Sequence, residues 1–139
     1  MKTLISLSFS CFVSLFYLAC TKNDNADFST KLGESFELAF EATTELSDVE
    51  IKVTFEDIVE DSRCPENSVC VWEGLIKLAL NLEIDGNLHE IELIDHVGHP
   101  QKAQAIIGER IIRLISVEPA KLTADQIPKD EYVIMLVIE

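Results

Sequence analysis

Apolar and polar residues alternate along most of the chain after residue 34. A period of two places the apolar side chains on one face of an extended strand and the polar side chains on the other. The apolar positions of the first three runs are Phe36, Leu38 and Phe40; Val49, Ile51, Val53 and Phe55; and Ile76, Leu78, Leu80, Leu82 and Ile84. Because the helical period of 3.6 is weak, this pattern predicts β-strands.

Asp85-Gly86 ends the third run and predicts a two-residue hairpin, because type I′ turns need positive φ at both central positions. The next strand then continues from Asn87. The predicted cross-strand pairs are Ile84 with Asn87, Leu82 with His89, Leu80 with Ile91, and Leu78 with Leu93. Leu80 and Leu78 meet apolar partners in this register, which supports the hairpin, although His89 lies opposite Leu82.

Two further strands are predicted near 109–118, with Ile112 and Leu114 on one face, and at 131–139. The last run is apolar on both faces, which indicates a central strand covered on both sides. Only 101–107 and 123–127 could form a turn or two of helix, and Pro119 and Pro128 lie between the strands. We therefore expect an all-β fold, an antiparallel sandwich or partly open barrel of six to seven strands.

The N-terminal segment differs from the rest of the chain. Lys2 is followed by an uncharged, apolar run from Thr3 to Ala19. A short basic start and an apolar middle are typical of a secretory signal, and the run is slightly short for a membrane-spanning helix. Tyr17 at the third position before Cys20 fits an ordinary signal peptidase site poorly, since small residues are required there.

The stretch from Tyr17 to Cys20 resembles a bacterial lipobox, with Tyr17 in place of the usual leucine. That resemblance implies a signal peptide over residues 1–19, and lipid on Cys20 that anchors the protein to the membrane. Residues 20–33 are mostly polar and predict a flexible tether. A single β domain is then expected over residues 34–139, because a chain of 139 residues is short for two cores.

Charge narrows the choice of partners. The chain has 25 acidic and 11 basic side chains, for a formal charge of -14. Such a surface repels a phosphate backbone, so we expect no nucleic-acid partner.

The most distinctive local sequence is DSRCPENSVCVWEG at residues 61–74. Export to an oxidising compartment favours a disulfide between Cys64 and Cys70 across a tight reversal. A closed zinc site would need four ligands, and a second cysteine pair is missing. The spacing also differs from the catalytic CxxC motif.

This segment resembles an uncharacterised group of small bacterial secreted proteins and lipoproteins. Their motif is DSRCP followed by Cys, an aliphatic residue, Trp, any residue and Gly. The matching positions here are Asp61, Ser62, Arg63, Cys64, Pro65, Cys70, Val71, Trp72 and Gly74, and the run IIRLISVEP at 111–119 also looks like the group's Val-x-Pro strand. The resemblance implies export, a β-rich fold and a paired loop, but no activity.

Two hypotheses fit the loop. In the first it is a structural staple, with Trp72 capping the core and Arg63 paired with Asp61 or Glu66. In the second it is a recognition loop that presents Arg63, Pro65 and Trp72, because Trp and Arg often anchor interfaces and a rigid loop loses less entropy on binding. Solvent exposure of Trp72 discriminates between them.

Other chemistry has weaker support. Asp95, His96 and His99 form a weak candidate metal site in a loop that Gly98 and Pro100 allow to turn sharply. A nucleophile, a base and an orienting residue cannot be named together, so we expect neither an enzyme nor a cofactor.

The sequence thus predicts a lipid-anchored protein of the bacterial cell envelope, at the outer membrane, that acts as a small binding or structural module. Its expected partners are the membrane, through Cys20, and an envelope or surface protein or glycan. The alternative is a periplasmic metal-binding protein that uses Asp95, His96 and His99.

Overall fold

The computed structural model describes residues 30–139, which form two four-stranded antiparallel sheets. The strands are β1 (Ser35–Ala39), β2 (Thr43–Glu45), β3 (Ile51–Asp61), β4 (Leu75–Ile84), β5 (Asn87–His96), β6 (Gln104–Ile107), β7 (Arg110–Glu118) and β8 (Val133–Ile138). One sheet has the order β1-β8-β7-β6 and the other β2-β3-β4-β5. The all-β prediction is confirmed, and of its two forms the structure is the sandwich.

The alternating apolar residues form the core between the sheets. Their side chains are buried because each strand directs its apolar face toward the other sheet. The largest of the nearly inaccessible side chains are Phe55, Leu38, Ile76, Leu78, Leu80, Leu82, Leu93, Ile112, Ile134, Leu136 and Ile138. Nearly all of these positions belong to the runs that the period of two marked.

The β4–β5 hairpin has the predicted register. Ile84 pairs with Asn87, Leu80 with Ile91 and Leu78 with Leu93, and His89 lies opposite Leu82. Asp85 and Gly86 both have positive φ, at 49° and 76°, as the turn requires.

Strand β8 occupies the predicted central position, between β1 and β7. Its inner face, which includes Ile134 and Leu136, is fully buried. On the outer face Val137 is buried, but Val133 and Met135 are only half-buried. The second face is therefore covered only in part.

The structure has eight strands rather than six or seven. The additional strands are short: β2 pairs with β3 over three residues, and β6 pairs with β7. Of residues 101–107, which the sequence allows to form a turn or two of helix, only the first part is helical, as a 3-10 helix over Pro100–Ala103. Pairing with β7 makes the remainder a strand, which local sequence does not reveal.

Residues 123–127 form bends without a helix, and a second 3-10 helix covers Lys129–Glu131. Within residues 30–139 no helix is long and apolar enough to cross a membrane. The predicted signal segment, Cys20 and most of the predicted tether lie outside the described residues.

The last four residues of the predicted tether, 30–33, lie against the domain. Thr30 is buried, and its carbonyl accepts a hydrogen bond from the Ser47 amide at 2.9 Å. The Gly33 amide donates to the carbonyl of Ile138 at 2.7 Å. These backbone contacts hold residues 30–33 against the sandwich, so the packed domain includes residues that precede the predicted boundary at 34.

Candidate functional site

The loop over residues 61–74 begins at the last residue of β3 and ends just before β4, at one end of the second sheet. Its two ends are joined, since the Ser62 amide donates to the carbonyl of Leu75 at 2.8 Å and the Leu75 amide lies 3.3 Å from the Ser62 hydroxyl. Gly74 has a φ of 68°, and a Cβ there would lie 2.0 Å from the Ser62 carbonyl oxygen. Only glycine fits this close approach of the backbone.

The predicted disulfide closes the loop. Cys64 and Cys70 are bonded, with their Cα atoms 6.0 Å apart. Between them the Ser68 amide donates to the carbonyl of Pro65 at 3.0 Å, which forms the expected tight reversal. The structure therefore confirms both the pairing and the turn.

Arg63 fixes the first part of the loop to Asp61 at the end of β3. Its Nε and Nη2 donate to the two carboxylate oxygens of Asp61 at 2.9 and 2.8 Å, a two-pronged contact that holds the guanidinium in one orientation. Nη1 also reaches the carbonyl of Val117 in β7 at 3.4 Å. Of the two expected partners of Arg63, the structure selects Asp61 rather than Glu66.

Residues far away in the chain complete this group, which we call the anchoring cluster: Asp61, Arg63, Lys121 and Tyr132. The Tyr132 hydroxyl donates to the Asp61 carboxylate at 2.7 Å. The Lys121 ammonium, which is only 11% exposed, donates to the Asp61 carbonyl at 2.9 Å. The carbonyl of Lys121 accepts a hydrogen bond from Glu66 inside the loop at 2.9 Å. The loop is thus held by contacts with both sheets.

The protonation states of the cluster are set by burial and by these contacts. Burial alone would raise the pKa of Asp61, but hydrogen bonds from Arg63 and Tyr132 outweigh it and hold that pKa below the ordinary value of 3.8. Burial and then the hydrogen bond to Asp61 raise the pKa of Tyr132 to about 12. At neutral pH Asp61 is therefore charged and Tyr132 is neutral.

A surface pocket of about 450 Å³ lies beside the cluster and is lined in part by Asp61, Lys121 and Tyr132. A carboxylate with a lowered pKa is a weak general base, and a tyrosine with a raised pKa is a weak nucleophile at neutral pH. Among the described residues every buried side-chain nitrogen or oxygen has a hydrogen-bond partner. The chemistry of the cluster suits anchoring, because structural ion-pair networks also shift pKa values.

The tip of the loop, residues 69–72, is exposed to solvent, unlike the cluster at its base. Val69 and Val71 are fully exposed, and Trp72 is 74% exposed. The hypothesis that Trp72 caps the core is therefore wrong. The strands already fill the core, and the closed base of the loop keeps the tip outside it.

The charges around this tip are negative. Glu66 and Glu73 are exposed, whereas Arg63, the only cation of the loop, is engaged by Asp61. The loop therefore presents three apolar side chains with carboxylates beside them. Pro65, the third residue of the recognition hypothesis, is half-buried next to the disulfide.

The three residues of the candidate metal site are only partly brought together. The rings of His96 and His99 are neighbours, with centroids 4.7 Å apart. No group of three or more His, Cys, Asp or Glu side chains within residues 30–139 could hold a metal ion. The three-ligand hypothesis is therefore wrong for Asp95, because successive side chains of a strand point to opposite faces.

Arg63, Cys64, Cys70 and Trp72 stand out in the sequence, whereas nothing local marks Lys121 and Tyr132 as partners of Asp61. Tyr132 lies in the apolar run at 131–139, which predicts a strand but no polar contact. No family model, curated protein or solved structure matches this chain.

Proposed function

We propose that this protein is an envelope-anchored lipoprotein whose β-sandwich acts as a small binding module through the loop over residues 61–74. The observation that carries the proposal is the exposure of Val69, Val71 and Trp72 together at the tip of that loop. Exposed apolar side chains that lie together are typical of interaction sites, and Trp is enriched among the residues that dominate binding energy.

The rigidity of the loop supports a role in binding. The disulfide, the joined ends and the anchoring cluster restrict the backbone before any partner arrives. A preorganised loop loses less conformational entropy on association. Enzymatic activity is not part of the proposal, because the titratable side chains of the anchoring cluster are engaged with one another or with the backbone.

The partner that suits this tip is an envelope or surface protein with an apolar cleft and a basic rim. The side chains of Val69 and Val71 offer no hydrogen bond, so they match an apolar cleft better than the hydroxyl groups of a glycan. Glu66 and Glu73 beside them, and the overall charge of -14, favour a rim that carries Lys or Arg.

The proposal is tested by crosslinking and affinity purification from intact envelopes, with quantitative mass spectrometry of the recovered proteins. Trp72→Ala should reduce recovery of the specific partner about tenfold or more, as expected for the loss of a central anchor. Leu88→Ala is the matched control, because Leu88 is 66% exposed but lies next to the Asp85-Gly86 turn, at the opposite end of the sheet. Equal recovery with Trp72→Ala and the wild type would exclude the loop as the binding site.

Membrane attachment is proposed to depend on lipid at Cys20. Cys20→Ser should move the protein from the membrane fraction to the soluble fraction, because the acyl chains supply the attachment. Immunoblots of fractionated cells measure the change, and Cys11→Ser is the control because that cysteine precedes the proposed cleavage site. If the Cys20→Ser protein stays in membranes, lipidation at this residue is wrong.

A further inference from the structure

The turn after β5 sets two histidines side by side. His96 and His99 are the first and last residues of a four-residue turn, in which the His99 amide donates to the His96 carbonyl at 3.0 Å. Gly98 has a φ of 83°, as the third position of a type II turn requires. Pro100 then begins the 3-10 helix, so the backbone is constrained on both sides of the pair.

The ring of His96 is also oriented. Its Nδ1 lies 2.6 Å from the carbonyl oxygen of Val97. A carbonyl oxygen can only accept a hydrogen bond, so Nδ1 carries the hydrogen and donates it to the Val97 carbonyl. The lone pair then lies on Nε2, and a backbone carbonyl bonded to the other ring nitrogen is the usual support of a metal-ligating histidine.

The separation of the rings allows both to ligate one metal ion. With metal–nitrogen bonds of about 2.1 Å, two imidazole centroids lie roughly 4.7 Å apart at a ligand angle of 90° and about 5.4 Å apart at the tetrahedral angle. The observed separation is 4.7 Å. A 90° angle belongs to tetragonal geometry, which Cu²⁺ and Ni²⁺ adopt with nitrogen ligands.

The surroundings favour a cation. The carboxylate of Glu73 lies 3.8 Å from the position that a Cβ on Gly98 would occupy. Arg113, a cation that lines the shallow hollow beside the turn, is paired with Glu139 at 3.1 Å. The negative charge of the whole protein adds a general attraction for cations.

We propose that His96 and His99 form a two-histidine site for a divalent transition-metal ion of the tetragonal class, with Cu²⁺ bound more tightly than Ni²⁺. Water completes the coordination, and Asp95 takes no part. The order of affinity follows the general stability order of first-row metals with nitrogen ligands. Neither proposed ligand belongs to the 61–74 loop, so either proposal can fail without the other.

The test uses Cu²⁺ as the probe and the purified full chain in detergent, with free thiols alkylated so that they cannot compete for the metal. The wild type should bind one Cu²⁺ per chain, and electron paramagnetic resonance should show coupling to two imidazole nitrogens. His96→Gln and His99→Gln should each bind at least tenfold more weakly and show coupling to one nitrogen. His89→Gln, near the start of β5 and far along the strand from His96, is the matched control and should leave both readouts unchanged.

Three results would overturn the proposal: no stoichiometric Cu²⁺ binding by the wild type, unchanged affinity in either His96→Gln or His99→Gln, or tighter binding of Ni²⁺ than of Cu²⁺. Thermal melts without metal show whether each variant is folded. Because both histidines lie in a surface turn outside the core, their replacement should change these melts little.

Discussion

Arg63 and Trp72 belong to the same short loop, yet only Arg63 helps to hold it. The guanidinium of Arg63 is engaged by the Asp61 carboxylate and reaches the carbonyl of Val117, so its charge is compensated where it is largely buried. Trp72, in contrast, exposes a large apolar side chain to solvent. An exposed indole on a fixed backbone contributes little to folding and is available for binding.

Gly74 provides a test of the loop at the level of a single residue. Gly74→Ala should lower the free energy of unfolding by about 3 kcal/mol or more, because positive φ and a backbone clash add together. Gly108→Ala is the matched control, since Gly108 has a φ of 59° but no atom within 4 Å of the added Cβ. Gly108→Ala should lower the free energy of unfolding by only about 1–2 kcal/mol. Urea denaturation measures both, and equal losses would contradict the close approach of Gly74 to Ser62.

At the scale of the element, the loop is a closed ring attached to two sheets. The disulfide closes it within the sequence, and the anchoring cluster attaches its base to β7 and to the residue that precedes β8. Hydrogen bonds from the Ser62 and Glu66 amides restrain the backbone on either side of Cys64. The tip therefore needs no packing of its own to stay in place.

Replacing both Cys64 and Cys70 with serine should lower the free energy of unfolding by about 2 kcal/mol, as the chain-entropy model gives for a closed loop of this length. The anchoring cluster should survive, so the circular dichroism of the folded sandwich should stay unchanged. Dithiothreitol should destabilise the wild type by a similar amount and leave the double variant unaffected. A reductant effect on the double variant would contradict the assignment.

At the scale of the whole molecule, the anchoring cluster connects the two sheets through charged and polar groups at one end of an otherwise apolar interface. Asp61 ends β3 of the second sheet and Arg63 follows it, whereas Tyr132 directly precedes β8 of the first. Each charged or polar side chain of the cluster has a hydrogen-bond partner within it, which is the condition under which burying charge is tolerated. The stability of the molecule should therefore depend on pH through this cluster.

Between pH 10 and about 12 the unfolded chain loses the Tyr132 proton while the folded chain keeps it, so stability should fall as pH rises, by about 2 kcal/mol in all. At the acid end, the folded-state pKa of Asp61 is below 3.8, so the unfolded chain takes up its proton first and stability should fall as pH falls through that range. The urea midpoint of unfolding, measured as a function of pH, tests both the alkaline and the acid decrease in stability.

Tyr132→Phe tests whether the alkaline decrease in stability comes from Tyr132. The variant should be less stable than the wild type at neutral pH by about 1–2 kcal/mol, since Asp61 loses a hydrogen bond. The difference should shrink between pH 10 and 12, because Phe has no proton to lose. A constant difference across this range would contradict the raised pKa of Tyr132.

Much of the architecture could be predicted because the relevant signals are local. The period of two in β3, β4 and β8 marks the buried faces directly, and Asp85-Gly86 sets the register of its hairpin. Cys64 and Cys70 are close in sequence, so their pairing was also accessible. The short strands β2 and β6 were missed, since three or four residues carry too little pattern to reveal a pairing partner.

The sequence by itself determined the fold class, the core faces, the hairpin register and the identity of the loop with its disulfide. Only the tertiary structure decided that Trp72 points into solvent, that Lys121 and Tyr132 meet Asp61, and that His96 and His99 adjoin without Asp95. The physical reason is the range of the interactions. Alternation, turns and short disulfides act between neighbours in the chain, whereas exposure and the meeting of distant polar groups depend on how the two sheets pack.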